Sequence, residues 1–123
     1  MSERATAAEI LLIEDDAAIL EGLAECLALE GHSVHAASDG VDGLAWLAAG
    51  NRPRLVVLDL VMPRMSGDEF LREARGRSTL AEVPVILMTA AAPGKVKLPE
   101  VDAVLTKPFE LDALLEVVRG LLG

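Results

Sequence analysis

Short apolar runs that do not alternate with polar residues constrain this chain more than any other feature. Ile10 to Ile13, Leu55 to Leu58 and Val85 to Met88 are each about one strand long and apolar throughout. A strand with one wet face alternates. A strand covered on both faces does not, and such strands belong to parallel sheets packed between helices. Two further runs, Ser33 to Ala37 and Ala103 to Leu105, complete a set of five, the last weak on its own pattern.

Helical spacing fills the gaps. Over Ala17 to Glu30, Ile19, Leu20, Leu23 and Leu27 share a face, and Gly31 follows as a stop signal. Ser38 or Asp39 is placed to cap a second helix holding Leu44, Trp46 and Leu47, broken by Asn51 and Pro53. A third helix is expected from about Gly67 to Arg75, burying Phe70, Leu71 and Ala74. The last starts near Glu110, with Leu111, Leu114, Leu115, Val118 and Leu122 as its stripe. Strand–helix alternation predicts a single α/β domain with a parallel sheet and right-handed crossovers. One segment departs from the pattern. "TAAAPGKVKLPEV", between the fourth and fifth strands, carries Pro93, Gly94 and Pro99 and no apolar stripe. A helix there is expected to be short or irregular.

Composition excludes several functions. No apolar run approaches the roughly 20 residues that span a bilayer, and "MSERATAAE" has no secretory pattern. A cytoplasmic protein with no membrane partner is expected. Cys26 is the only cysteine, which excludes an internal disulfide, and it reads as a small buried hydrophobe. His32 and His35 lack metal-site spacing and read as surface or loop-edge residues. A net charge of −9 argues against direct nucleic-acid binding and suits a cation or a basic partner.

The polar residues fall at one edge. Glu14 and Asp15 sit just past the first strand, Asp59 just past the third, Thr89 just past the fourth and Lys107 just past the fifth. In open α/β sheets, ligands bind outside these carboxyl ends. Three carboxylates in one cleft repel and raise the proton affinity of at least one of them unless something offsets the charge. A hard divalent cation does so, and Mg²⁺ takes oxygen ligands. Lys107 adds a fixed positive charge and Thr89 a hydroxyl donor. These parts suit phosphoryl transfer to a carboxylate, giving an acyl phosphate. Singly, each residue has a plainer reading: Asp59 as a loop acid, Glu14 and Asp15 as solvated acids, Thr89 as a strand former, Lys107 as a surface lysine. Asp16 reads as the cap of the first helix, Gly67 as a backbone requirement, and Trp46 as packing.

In order and spacing, "LLIEDD", "LVVLDLVMPRMSG", "ILMTA" and "LTKPF" resemble the receiver domain of bacterial two-component response regulators, over residues 9 to 122. The resemblance implies a doubly wound, flavodoxin-like domain with strand order 2-1-3-4-5. It implies that Asp59 accepts phosphate from a sensor histidine kinase or phosphotransfer protein. Glu14 and Asp15 would serve Mg²⁺, with Asp15 as the direct ligand, and Asp59 and the backbone carbonyl of Val61 would complete the protein's share of the shell. Thr89 would be the hydroxyl switch residue and Lys107 the phosphate-pairing lysine. A cis Lys107–Pro108 bond is implied too; general statistics, at about 5–6% cis for such bonds, favour trans.

Two departures from that family stand out. Val104 replaces the Tyr or Phe usual three residues before the lysine, and the segment before it is shortened. Output through the usual face built on the fourth helix and fifth strand is therefore not expected. Val61 and Ala91, two past Asp59 and Thr89, offer no side-chain hydrogen bond to water, so spontaneous phosphate loss should not be fast. The whole chain, residues 1 to 123, is expected to be one receiver with no output domain and no enzyme activity beyond its own phosphoryl transfer and dephosphorylation. It would act on an unknown downstream protein. A receiver cut from the N-terminus of a longer regulator, or a scaffold that is never phosphorylated, are the alternatives. A dehalogenase-type phosphatase would need a second acid where Val61 stands. A nucleotide or flavin module would need a glycine-rich loop where "EDDAAIL" stands.

Overall fold

The computed structural model describes residues 8–77, 80, 82–90 and 98–123. Five strands form one parallel sheet: β1 (Ile10–Ile13), β2 (Val34–Ala37), β3 (Leu55–Asp59), β4 (Val85–Thr89) and β5 (Ala103–Thr106), in the order β2-β1-β3-β4-β5. Among the described residues there are four helices: α1 (Ala17–Leu29), α2 (Gly40–Ala48), α3 (Gly67–Gly76) and α4 (Leu111–Leu122). The expected strand order and doubly wound class are observed. No helix lies among the described residues between β4 and β5, though 91–97, including Ala91, fall outside them.

Every residue of β1, β3 and β4 is buried, which is why these runs lack alternation. The period of two still operates, sorting apolar residues to opposite faces. Leu11, Ile13, Val56, Leu58, Val85 and Leu87 pack with Leu47 of α2 and Phe70, Leu71 and Ala74 of α3. Ile10, Leu12, Leu55, Val57, Ile86 and Met88 pack with Leu27 of α1 and Leu114, Leu115 and Val118 of α4. The edge strand β5 is half exposed in alternation, which explains its weak pattern.

The helix signals operate as chemistry. Asp16 accepts from the Ile19 N–H at 3.1 Å, and Asp39 rather than Ser38 caps α2, accepting from the Asp42 N–H at 2.9 Å. Ser66 and Glu69 form a reciprocal capping box on α3. Gly31, at φ 97°, lets the Gly31 and His32 N–H groups return to the carbonyls of Ala28 and Leu27, closing α1. At Gly67 the need is space: a Cβ there would lie 2.6 Å from the Asp59 carbonyl oxygen.

Some expectations need correction. Asp59 and Thr89 are the last residues of β3 and β4, inside the ladder rather than past it, so the sheet itself fixes their backbones. Cys26 is half-buried, not buried. The two histidines are half-buried with definite partners. His32 Nδ1 lies 2.9 Å from Glu9 Oε1, and His35 stacks on Trp46 with ring centroids 4.7 Å apart. No described helix is long and apolar enough to cross a membrane.

Candidate phosphoacceptor site

Three side chains that meet at the carboxyl edge continue rows of the α1/α4 face. Glu14 follows Ile10 and Leu12, Asp59 follows Leu55 and Val57, and Lys107 follows Ala103 and Leu105. Residue parity therefore brings these charges to one side of the sheet. Adjacent strands β1 and β3 place the two acids side by side.

Glu14 is 1% exposed, which no unpaired carboxylate tolerates cheaply. Both of its oxygens are engaged. Oε1 accepts from Lys107 Nζ at 2.7 Å, and Oε2 accepts from the Asp16 N–H at 3.1 Å. Lys107 Nζ also lies 3.4 Å from Asp59 Oδ2, so one ammonium bridges two acids and sits closer to Glu14. The lysine's backbone is fastened as well: its N–H donates to the Thr89 carbonyl at 2.7 Å, and the Lys107–Pro108 bond is cis.

Burial and then the neighbouring charge of Glu14 push Asp59 up to about 6, while Lys107 and a hydrogen bond from the Val61 N–H pull the other way. Desolvation alone would lower Lys107, but its hydrogen bond to Glu14 and the two carboxylate charges carry it above its ordinary value. The expected repulsion is thus present and only partly offset. One carboxylate oxygen from each of Glu14, Asp15 and Asp59 lies within 4.8 Å of the others, with Asp15 exposed. An all-oxygen donor set carrying residual negative charge fits a hard divalent cation.

Thr89 is buried at the end of the strand paired with β3, where it continues the row of Val85 and Leu87 on the α2/α3 face, opposite the row that carries Asp59. The loop after Asp59 is anchored at both ends. Leu60 N–H donates to the Met88 carbonyl at 2.9 Å, and Gly67 N–H donates to the Leu60 carbonyl at 2.8 Å. An apolar groove of about 480 Å³, lined by Ile19, Leu23, Ala90, Lys107, Pro108 and Phe109, opens next to the lysine. Sequence reasoning missed an ion pair between Arg64 of this loop and buried Asp39. Asp39 was legible only as a cap, and a single sequence carries no signal for its second partner.

The sequence model for the response regulator receiver domain matches residues 10–119. Response regulator MprA of Mycobacterium sp. (strain KMS) is 42% identical over 92% of this chain. MprA of Mycobacterium tuberculosis (strain H37Rv) is 39% identical over the same share. The chain spans about half the length of these curated relatives, 50% in both cases. Among solved structures, chemotaxis protein CheY4 of Vibrio cholerae superposes with a TM-score of 0.82 at 28% identity, covering 94% of this chain and 99% of that one. TrrA of Thermotoga maritima, solved in complex with Mg²⁺–BeF, gives 0.79 at 34% identity, covering 91% and 96%. With its strand order, its edge of acids and lysine, and these matches together, the chain belongs to the response regulator receiver domain family.

Proposed function

We propose that this domain is a phosphorylation-dependent signalling switch in which Asp59 accepts a phosphoryl group from a histidine kinase or phosphotransfer protein. The carrying observation is the state of Asp59. It is buried at a strand end, kept protonation-prone by Glu14, and yet supplied with an N–H from Val61 and an ammonium from Lys107. Acids perturbed by burial and by specific charged neighbours cluster at functional sites. In the transfer, an Asp59 carboxylate oxygen bonds to phosphorus as the bond to the donor breaks. Lys107 is within reach of the new phosphoryl oxygens if it leaves Glu14, and Thr89 supplies a hydroxyl. Asp15, Asp59 and the Val61 carbonyl would hold Mg²⁺, with Glu14 behind them. Bound there, the ion would offset negative charge on both the acids and the phosphoryl group. The Mg²⁺–BeF complex of the Thermotoga relative supports this assignment.

The groove beside Lys107 gives a donor protein an apolar footing next to the site. The domain is read as a switch and not as a turnover enzyme, acting in the cytoplasm through protein contacts. In a chain of the relatives' length, the switch would act on the remaining half. The test is incubation with acetyl phosphate and Mg²⁺ followed by intact mass measurement. A gain of one phosphoryl group, absent in Asp59→Asn and abolished by chelation, is expected. An equal gain in Asp59→Asn would overturn the assignment.

A further inference from the structure

We infer that Arg64 is a positioning residue that fixes the phosphoacceptor loop by pairing with Asp39, and so sets the affinity of the acidic crevice for its cation. The inference rests on the function proposed above. Arg64 stands three residues past Val61, whose N–H bonds Asp59 and whose carbonyl is the proposed ligand. It is the only non-glycine residue with a positive φ among the described residues, at 70°. L-residues enter that region at a cost, so something must hold it there.

The structure supplies that hold. The Asp39 side chain is 7% exposed, and its two oxygens are divided: Oδ1 caps α2 and Oδ2 pairs with the Arg64 guanidinium. A carboxylate so buried needs a cationic partner. The neighbouring residues meet as well. Gly40 packs so closely on Met65 that a Cβ there would lie 2.9 Å from its Sδ. The loop is therefore clamped to the start of α2 at two successive residues, 64 and 65. Its ends are already pinned to β4 and α3, so the clamp settles the middle.

The sign of the effect separates positioning from simple electrostatics. Arg64 carries a positive charge on the loop that faces the cation site. Removing that charge alone would tighten cation binding. Removing the clamp would weaken it, because the Val61 carbonyl loses its fixed place. Groups hydrogen-bonded directly to a metal ligand are commonly worth ten- to a hundredfold in metal affinity, and a clamp three residues from the ligand acts at the low end of that range.

The experiment titrates Mg²⁺ alone into the full chain, following the Val61 amide by NMR, in parent, Arg64→Gly, Arg64→Gln and Arg64→Lys proteins. Glycine suits the positive φ, which offsets part of the cost of leaving buried Asp39 without its cation, so its thermal midpoint without Mg²⁺ should fall by only a few degrees. About tenfold weaker Mg²⁺ binding in Arg64→Gly is expected, with Arg64→Lys retaining most of the affinity. Equal or tighter binding in Arg64→Gly overturns the inference. So does a collapsed midpoint in Arg64→Gly accompanied by parental affinity in Arg64→Gln. A parent that binds no Mg²⁺ instead overturns the proposed function itself.

Discussion

Replacing Asp59 with Asn should stabilise this domain in the absence of metal, and the gain should depend on pH in a defined direction. Folding raises Asp59 from 3.8 to about 6. The folded state therefore holds a proton more tightly than the unfolded chain does. Below about pH 4 both states are protonated and the site costs nothing. As pH rises through 6 the folded state must carry a desolvated, Glu14-repelled charge, and stability is lost. At about 1.4 kcal/mol per pH unit, the full cost at neutral pH is on the order of 3 kcal/mol. The pull of Lys107 is already contained in that figure, and water at the mouth of the crevice screens part of the remainder. A net gain of about 1–2 kcal/mol at pH 8 is expected, or a rise of roughly 3–8 °C in midpoint for a domain of this size. Thermal melts of parent and Asp59→Asn in chelator, from pH 5 to pH 8, measure it. The difference should stay nearly level from pH 8 to about pH 7 and fall to about half by pH 5. A variant no more stable than the parent at pH 8, or a gap that widens on acidification, refutes the reasoning.

Other outcomes follow from the same geometry. Lys107→Ala strands Glu14 at 1% exposure without its cation. Because the lysine itself is partly exposed, a loss of about 2 kcal/mol in urea unfolding at pH 7 is expected rather than the larger figure for a fully buried pair; an unchanged midpoint would contradict it. Gly67→Ala drives a methyl into the Asp59 carbonyl at 2.6 Å, which should cost about 1–3 kcal/mol in the same assay, whereas Gly76→Ala, with open space around it, should not destabilise. His35 is pushed below its ordinary value by burial, with Asp42 partly opposing. Its stacked Trp46 should therefore change emission only on acidification below about pH 6.5, and a transition above that pH would count against the assignment. Since Val61 has no side chain able to hydrogen-bond, phosphate loss from the purified phosphoprotein in Mg²⁺ should take minutes or longer, and decay within seconds would exclude this.

Much of this was readable beforehand, for physical reasons that differ by element. β1, β3 and β4 were legible because burial on both faces demands uninterrupted apolar residues. β5 was faint because an edge strand half in water needs no such run. Caps were legible where a short polar side chain precedes an apolar stripe, as at Asp16 and Asp39. Glu14, Asp15, Asp59 and Lys107 stood out because charge at a strand end is costly without a purpose, with Thr89 picked out only in their company, and the structure brings the acids and the lysine together. Sequence could not apportion Lys107 between its two acids, and the shorter of its two contacts is to Glu14. Nor could it find the pairing of Asp39 with Arg64, which depends on a left-handed residue in a loop. Backbone conformations of that kind leave no periodicity to read.

The central claim is that the residual negative charge of this crevice is there to be met by Mg²⁺, so that an Asp59 oxygen can bond to phosphorus. A crystal structure grown with Mg²⁺ and beryllofluoride tests it most directly. The account predicts the fluoride adduct on an Asp59 oxygen, Mg²⁺ ligated by Asp15, Asp59 and the Val61 carbonyl, and Lys107 Nζ drawn from Glu14 toward the adduct. An adduct-free Asp59, or Mg²⁺ bound elsewhere with Lys107 unmoved, would contradict it.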